Sequence, residues 1–94
     1  MRYLENYNLT KEEIKDLKET YNDGIINFIS ENEIFVTDTI EYLKSEGIDC
    51  IYFLMKNNIK IFLETKVSLK NKIEEYKQKG FSTKAIIMLL SEIE

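Results

Sequence analysis

The chain has 94 residues, of which 44% are hydrophobic and 12% aromatic, enough for one folded domain over residues 1–94 but too little for two. It contains no His and a single Cys, which excludes His-based catalytic sites, His or paired-Cys metal sites and intrachain disulfides. No nucleophile is paired with a base and no loop could cradle an anion, so we expect a protein that is not an enzyme and needs no cofactor.

The sequence does not predict a membrane protein. Its longest uninterrupted apolar run covers residues 85–90, well below the roughly 20 residues that a bilayer-spanning helix needs. The first residues lack the apolar core of a signal peptide. We therefore expect a cytoplasmic protein, a compartment in which a lone, unpaired thiol is usual.

Charge is distributed unevenly along the chain, although the total is −4. Residues 1–55 contain 5 basic and 12 acidic residues, whereas residues 56–84 contain 8 basic and 3 acidic residues. The average charge therefore conceals a change of sign between the two segments.

Three segments repeat one pattern, which predicts a helix end followed directly by a helix start. They are residues 3–10, 42–49 and 75–82, and the last two align without gaps, 33 residues apart. Each has a residue that tolerates positive φ, then an apolar residue, then a residue that can cap the next helix. Thr10 and Glu13 also have the spacing of a capping box. The three sets are Asn8, Leu9 and Thr10; Gly47, Ile48 and Asp49; and Gly80, Phe81 and Ser82.

Apolar residues between these turns recur in the same 33-residue register. Val36 and Ile40 correspond to Leu69 and Ile73. A repeat of this length, with two helices and a short connector, is typical of an α-solenoid. We therefore predict an all-α fold of stacked helical hairpins. The same register also extends between the hairpins, where Ile26, Phe28 and Ile29 correspond to Ile59, Ile61 and Phe62.

A small α+β fold is the alternative. Residues 33–37 and 59–63 are short apolar runs that also alternate as β-strands do, and their residue types favour strands. The capped turns favour the all-helical interpretation, because a run of five residues cannot by itself separate a strand from a buried helix.

A family resemblance extends over most of the chain from Leu4 onward, as about two and a half repeats. The residues that carry it are Asn58, Ile59, Lys60, Ile61, Phe62, Leu63, Leu69, Lys70, Ile73, Tyr76, Gly80, Phe81 and Ser82. This pattern resembles the repeat of the mitochondrial transcription termination factor (mTERF) family, which includes loosely related bacterial members. The resemblance implies a curved stack of helical hairpins that binds nucleic acid along a concave basic face and has no catalytic residues. Ile59 stands where the family usually has Pro.

The predicted helix over residues 66–79 carries three lysines on one flank. If its apolar residues form the buried stripe, a rotation of about 100° per residue places Lys66, Lys70 and Lys77 together. Such a stripe could contact the phosphates of a nucleic acid. The alternative is that the ammonium groups stay solvated or face the acidic half of the chain.

The last predicted helix carries more apolar residues than one face can bury. Ile86, Leu89, Leu90 and Ile93 share a face, while Ile87 and Met88 lie off it. A following repeat would cover the surplus in a solenoid, and the sequence ends at Glu94. We therefore expect this helix to dock on a protein partner or a second copy, through Ile86, Ile87, Met88, Leu90 and Ile93. Protein binding is the first functional expectation, and nucleic-acid binding through the lysine stripe is the second.

The first predicted helix has charged residues of both signs at helical spacing. This surface could bind cations or a basic partner, or it could be a solvated face with weak ion pairs, which we favour. The residues are Lys11, Lys15 and Lys18, beside Glu12, Asp16 and Glu19.

Cys50 is predicted to lie in the first turn of a helix. The helix dipole could lower its pKa and make the thiol reactive. Because no His is available as a base, we favour a thiol that packs as a small apolar side chain.

Overall fold

The computed structural model describes residues 1–92 and contains only helices, turns and irregular connections within that range. The all-α prediction is thus confirmed and the α+β alternative is wrong, because residues 33–37 open an α-helix and residues 59–62 form a 3-10 helix. In chain order the helices are a first 3-10 helix at Arg2–Tyr7, α1 at Lys11–Thr20, α2 at Asp23–Glu31, α3 at Glu33–Ser45, α4 at Ile51–Asn57, a second 3-10 helix at Ile59–Phe62, α5 at Lys66–Gln78 and α6 at Thr83–Glu92.

The three predicted turns have the same backbone geometry. Asn8, Gly47 and Gly80 have φ values of 71°, 81° and 85°. At each turn the N–H of this residue bonds to the carbonyl three residues back, and the next N–H bonds to the carbonyl five residues back. For Ile48 the second bond reaches Leu43 at 2.9 Å, and for Phe81 it reaches Tyr76 at 3.1 Å. This pair of bonds defines the Schellman motif, so the helix ends were predicted correctly.

Two of the three predicted helix caps are present. Thr10 Oγ1 accepts the N–H of Glu13 at 3.1 Å, and the Glu13 carboxylate accepts the N–H of Thr10 at 2.9 Å, which completes the capping box. Ser82 Oγ accepts the N–H of Ala85 at 3.2 Å. Asp49 is not a cap, because α4 begins one residue later than predicted, with Cys50 at its N-cap and no side-chain cap bond.

The 33-residue register holds on the long helices and fails on the connector. Val36, Ile40, Leu69 and Ile73 are all 1% exposed or less, as their equivalent positions predict. The segment that connects the hairpins is the nine-residue helix α2 in the first repeat. In the second repeat it is the four-residue second 3-10 helix. The first copy is also separated from α3 by Asn32, whose Nδ2 donates to the carbonyl of Phe28 at 2.9 Å.

One continuous apolar core joins the helices, from Leu4 in the first 3-10 helix to Leu90 in α6. Helix α4 packs against α1 and also against α6, and α3 packs against α5. The molecule measures 36 × 24 × 22 Å along its principal axes. None of the helices described is both long enough and apolar enough to cross a membrane.

Polar side chains tie the helices together at their ends. The hydroxyl of Tyr21 donates to the carbonyls of Met55 and Lys56 at 2.7 and 2.8 Å, at the C-terminal end of α4. The buried side chain of Asn58 donates through Nδ2 to the carbonyl of Leu90 at 2.8 Å. This bond fixes the start of the second 3-10 helix against α6.

Candidate interaction surfaces

The turn at Gly80 sets the position of α6. The ring of Phe81 packs edge-on against Tyr76 of α5, with 6.0 Å between the ring centroids. Ser82 then caps the first turn of α6, and α6 makes its main contacts with α4. One face of α6 is thereby fixed against the core.

Two residues predicted for the protein interface belong to that core. Ile86 is 3% exposed and Leu90 is fully buried, so neither side chain can contact a partner in this structure. The prediction was wrong for both because the protein's own helices cover this face of α6. Ile93 lies outside the described residues.

The remaining apolar residues of α6 are accessible. Met88 is 49% exposed, and Ile87 and Leu89 on either side of it are half-buried. We call Ile87, Met88 and Leu89 the α6 surface. Helix α4 lies between α1 and α6 and buries Leu54 and Met55 completely, whereas three successive apolar side chains of α6 retain contact with solvent.

The predicted lysine stripe is divided by an ion pair. Lys77 donates to Glu46, at the end of α3, at 2.9 Å. Lys66 and Lys70 are exposed and make no ion pair within residues 1–92. Lys77 therefore faces an acidic group of the other half of the chain, as the alternative interpretation predicts. Lys66 and Lys70 remain accessible cations.

A basic groove near the N-terminus was not predicted. It has a volume of about 320 Å³ and is bounded by the first 3-10 helix and α1. Ile14, 6% exposed, lies in it. Its other lining residues are Met1, Arg2, Glu5, Lys11, Lys15 and Lys18. The i, i+4, i+7 spacing of the α1 lysines indicates a basic surface of this kind, but the net negative charge of residues 1–55 concealed it.

Asp16, which the sequence placed on the same charged helix, makes a different contact. Its carboxylate accepts the hydroxyl of Tyr52 and, at 2.8 Å, the ammonium of Lys56, both from α4. The bonds from Lys56 and then Tyr52 lower the pKa of Asp16, and the bond to Asp16 raises the pKa of Tyr52 to about 12. Lys56 also donates to Thr20 at 2.7 Å. This cluster holds α1 against α4 and is not a free cation-binding surface.

A groove of about 530 Å³ separates the turn at Gly47 from the turn at Gly80. Its lining includes Phe81, 42% exposed, and the ion pair between Glu46 and Lys77. Because these two charges neutralise each other, the groove offers no uncompensated charge to a ligand from that pair.

Cys50 is half-buried at the N-cap of α4. Burial raises its pKa, with a smaller contribution from the charge of Asp49. The thiol is therefore not activated by the helix dipole, in agreement with the interpretation that we favoured.

No group of three or more acidic or Cys side chains within residues 1–92 is placed to hold a metal ion. No protein-family model matches the chain, and no curated protein or solved structure matches it.

Proposed function

We propose that the protein is a non-enzymatic interaction module of the cytoplasm that binds a protein partner or a second copy through the α6 surface. The observation that carries this proposal is the exposure of Met88, 49%, between the half-buried Ile87 and Leu89. An apolar patch that stays accessible to solvent is typical of protein-binding surfaces, and Met88 with its partly accessible neighbours forms such a patch. Burying Met88 and its neighbours removes apolar area from water, which favours association by about 25 cal/mol per Å².

The proposed architecture is a short α-solenoid. Three Schellman turns with the same hydrogen bonds support it, as do the contacts of α4 with α1 and α6 and of α3 with α5. The resemblance to the mTERF repeat supports the same arrangement. In a solenoid each unit covers its neighbour, and Met88 of α6 remains accessible to another chain.

The test of the proposal is the effect of Met88→Lys on association. We expect the wild-type protein to increase in mass with concentration in light scattering, and Met88→Lys to remain a monomer. Val67→Lys is the matched control, because Val67 on α5 is 64% exposed and does not belong to the α6 surface. A wild-type protein that stays monomeric and is indifferent to Met88→Lys contradicts binding to a second copy.

Nucleic-acid binding is a second candidate, supported by the exposure of Lys66 and Lys70 without ion pairs in the described part of the chain. Phosphate contacts release counterions, so binding should fall steeply between low and moderate salt. We expect Lys66→Glu/Lys70→Glu to abolish a gel shift with duplex and single-stranded probes. Lys79→Glu is the control, because Lys79 pairs with Glu75 at 2.9 Å on its own helix. If no probe shifts, this candidate fails.

A further inference from the structure

The basic groove concentrates positive charge on a protein that is otherwise strongly acidic. Four cationic side chains and one carboxylate line it, so the remainder of a chain with net charge −4 carries −7. The groove therefore favours an occupant that brings a carboxylate to it. Opposite potentials of this kind orient two proteins before contact and raise the rate of association.

The chemistry of the groove fits one face of an amphipathic helix. Ile14 provides an apolar contact, and Lys11, Lys15 and Lys18 line one side at i, i+4 and i+7. At 1.5 Å per residue this row is about 10 Å long, which is two turns of a bound helix. Glu5 is the only acid among the lining residues, and Glu19 lies 4.0 Å from Lys15 on the same helix. The groove therefore suits a helix of two to three turns that carries an apolar residue, an acid and one cation.

Helix α6 presents such a face. Lys84, Met88 and Glu92 are exposed and follow one another at i, i+4 and i+8, so they lie on one side of the helix over about 12 Å. In the groove of a second copy, Met88 would contact Ile14. Glu92 would then lie among the lysines and Lys84 near Glu5.

We propose that α6 of one copy binds in the basic groove of a second copy through Met88 of the α6 surface, together with Lys84 and Glu92 on the same side of the helix. This inference rests on the proposed function and names the occupant of the same surface. The two contact surfaces differ, so the interface is heterologous: each dimer retains one free groove and one free α6 surface, and association continues from head to tail.

Mixing two variants tests this arrangement. Lys15→Glu/Lys18→Glu reverses charge in the groove but keeps α6, and Met88→Lys alters α6 but keeps the groove. We expect each variant alone to require at least about tenfold higher concentration than wild type to associate. An equimolar mixture should form a dimer of one copy of each, because one intact groove can accept one intact α6. The mixture should not grow further, and moderate salt should weaken it.

The outcomes separate the inference from the proposed function. If the groove variant associates as the wild type does while Met88→Lys does not, the α6 surface binds elsewhere and the inference is wrong although the proposed function stands. Two monomeric variants that fail to form the mixed dimer also overturn the inference. If neither variant differs from wild type, or if the wild type is always monomeric, the inference fails together with the self-association in the proposed function. Circular dichroism verifies folding, and Lys11→Glu/Lys15→Glu provides a second groove variant.

Discussion

The hydroxyl of Thr39 is the one buried side-chain polar atom in residues 1–92 without a hydrogen-bond partner. A hydroxyl that leaves water without gaining a partner lowers stability. We expect Thr39→Val to raise the free energy of unfolding by about 1 kcal/mol, measured by urea denaturation. Thr37→Val is the control, because the half-buried Thr37 donates to the carbonyl of Ile34 at 3.2 Å. An equal gain in both variants would contradict the explanation.

The carboxylate of Asp16 should make stability depend on pH. Lys56 and Tyr52 lower its pKa below the ordinary value of 3.8. The folded state therefore binds this proton less readily than the unfolded state, and the stabilisation is present above the unfolded pKa and lost as pH falls through the folded pKa. We expect the wild type to lose more stability than Asp16→Asn between about pH 6 and pH 3.

Urea denaturation at the two pH values measures this difference. Glu19→Gln is the comparison on the same helix, since Glu19 is 66% exposed and lies 4.0 Å from Lys15. It should keep the steep pH dependence of the wild type. If the free energy of unfolding falls equally with pH in Asp16→Asn and the wild type, the protonation of this carboxylate is not linked to stability.

Among single residues, the sequence predicted the groups whose partners are close in the chain. Thr10 and Glu13 are three positions apart, so their capping box could be recognised directly. The partners of Asp16 lie 36 and 40 positions away on α4. Only the packing of α1 against α4 brings them together, and the sequence therefore indicated a solvated charge where the structure has a contact between helices.

At the level of elements, Gly80 allows a direct test of the repeated turn. Its φ is +85°, and an added Cβ would meet no atom within 4 Å. The cost of Gly80→Ala therefore comes from the backbone conformation, about 1 to 2 kcal/mol. We expect this loss in urea denaturation and a smaller one for Gly80→Asn, because Asn tolerates the left-handed region. Equal stability of Gly80→Ala and the wild type would refute the account.

The helix ends could be predicted because the requirement for positive φ is local to one residue. The connector between hairpins could not, since packing decides it: Ile59, Ile61 and Phe62 are all buried in the second 3-10 helix. Their apolar alternation fitted a strand equally well. On α6, the sequence identified the surplus of apolar residues but not which face the protein itself would cover, so Ile86 and Leu90 were assigned to the wrong side.

At the scale of the whole molecule, a core that runs from Leu4 to Leu90 predicts cooperative unfolding. The six tyrosines report on tertiary structure by fluorescence, since the chain has no Trp. We expect this signal and far-UV circular dichroism to change in one coincident transition. Phe62→Ala removes a fully buried ring and should lower the free energy of unfolding by about 3 to 5 kcal/mol, with both signals shifting together.

Phe53→Ala is the matched control, because Phe53 is 40% exposed and its loss should cost much less. Two separate transitions in the wild type would mean that the hairpins unfold independently.

The basic groove is also a property of the whole molecule. Arg2 and the α1 lysines are separated by Glu5, Glu12 and other acids in the sequence, and only the folded surface collects them.

The equal geometry of the turns at Gly47 and Gly80 has a consequence for lengthening the protein. A duplicate of residues 48–80 spliced in after Gly80 would enter and leave through backbone conformations that the chain already uses twice. Its first helix would take the place of α6 beside α4, and the displaced α6 would move outward by one unit. In the proposed solenoid, residues 48–80 would therefore serve as a unit that can be repeated to extend the stack.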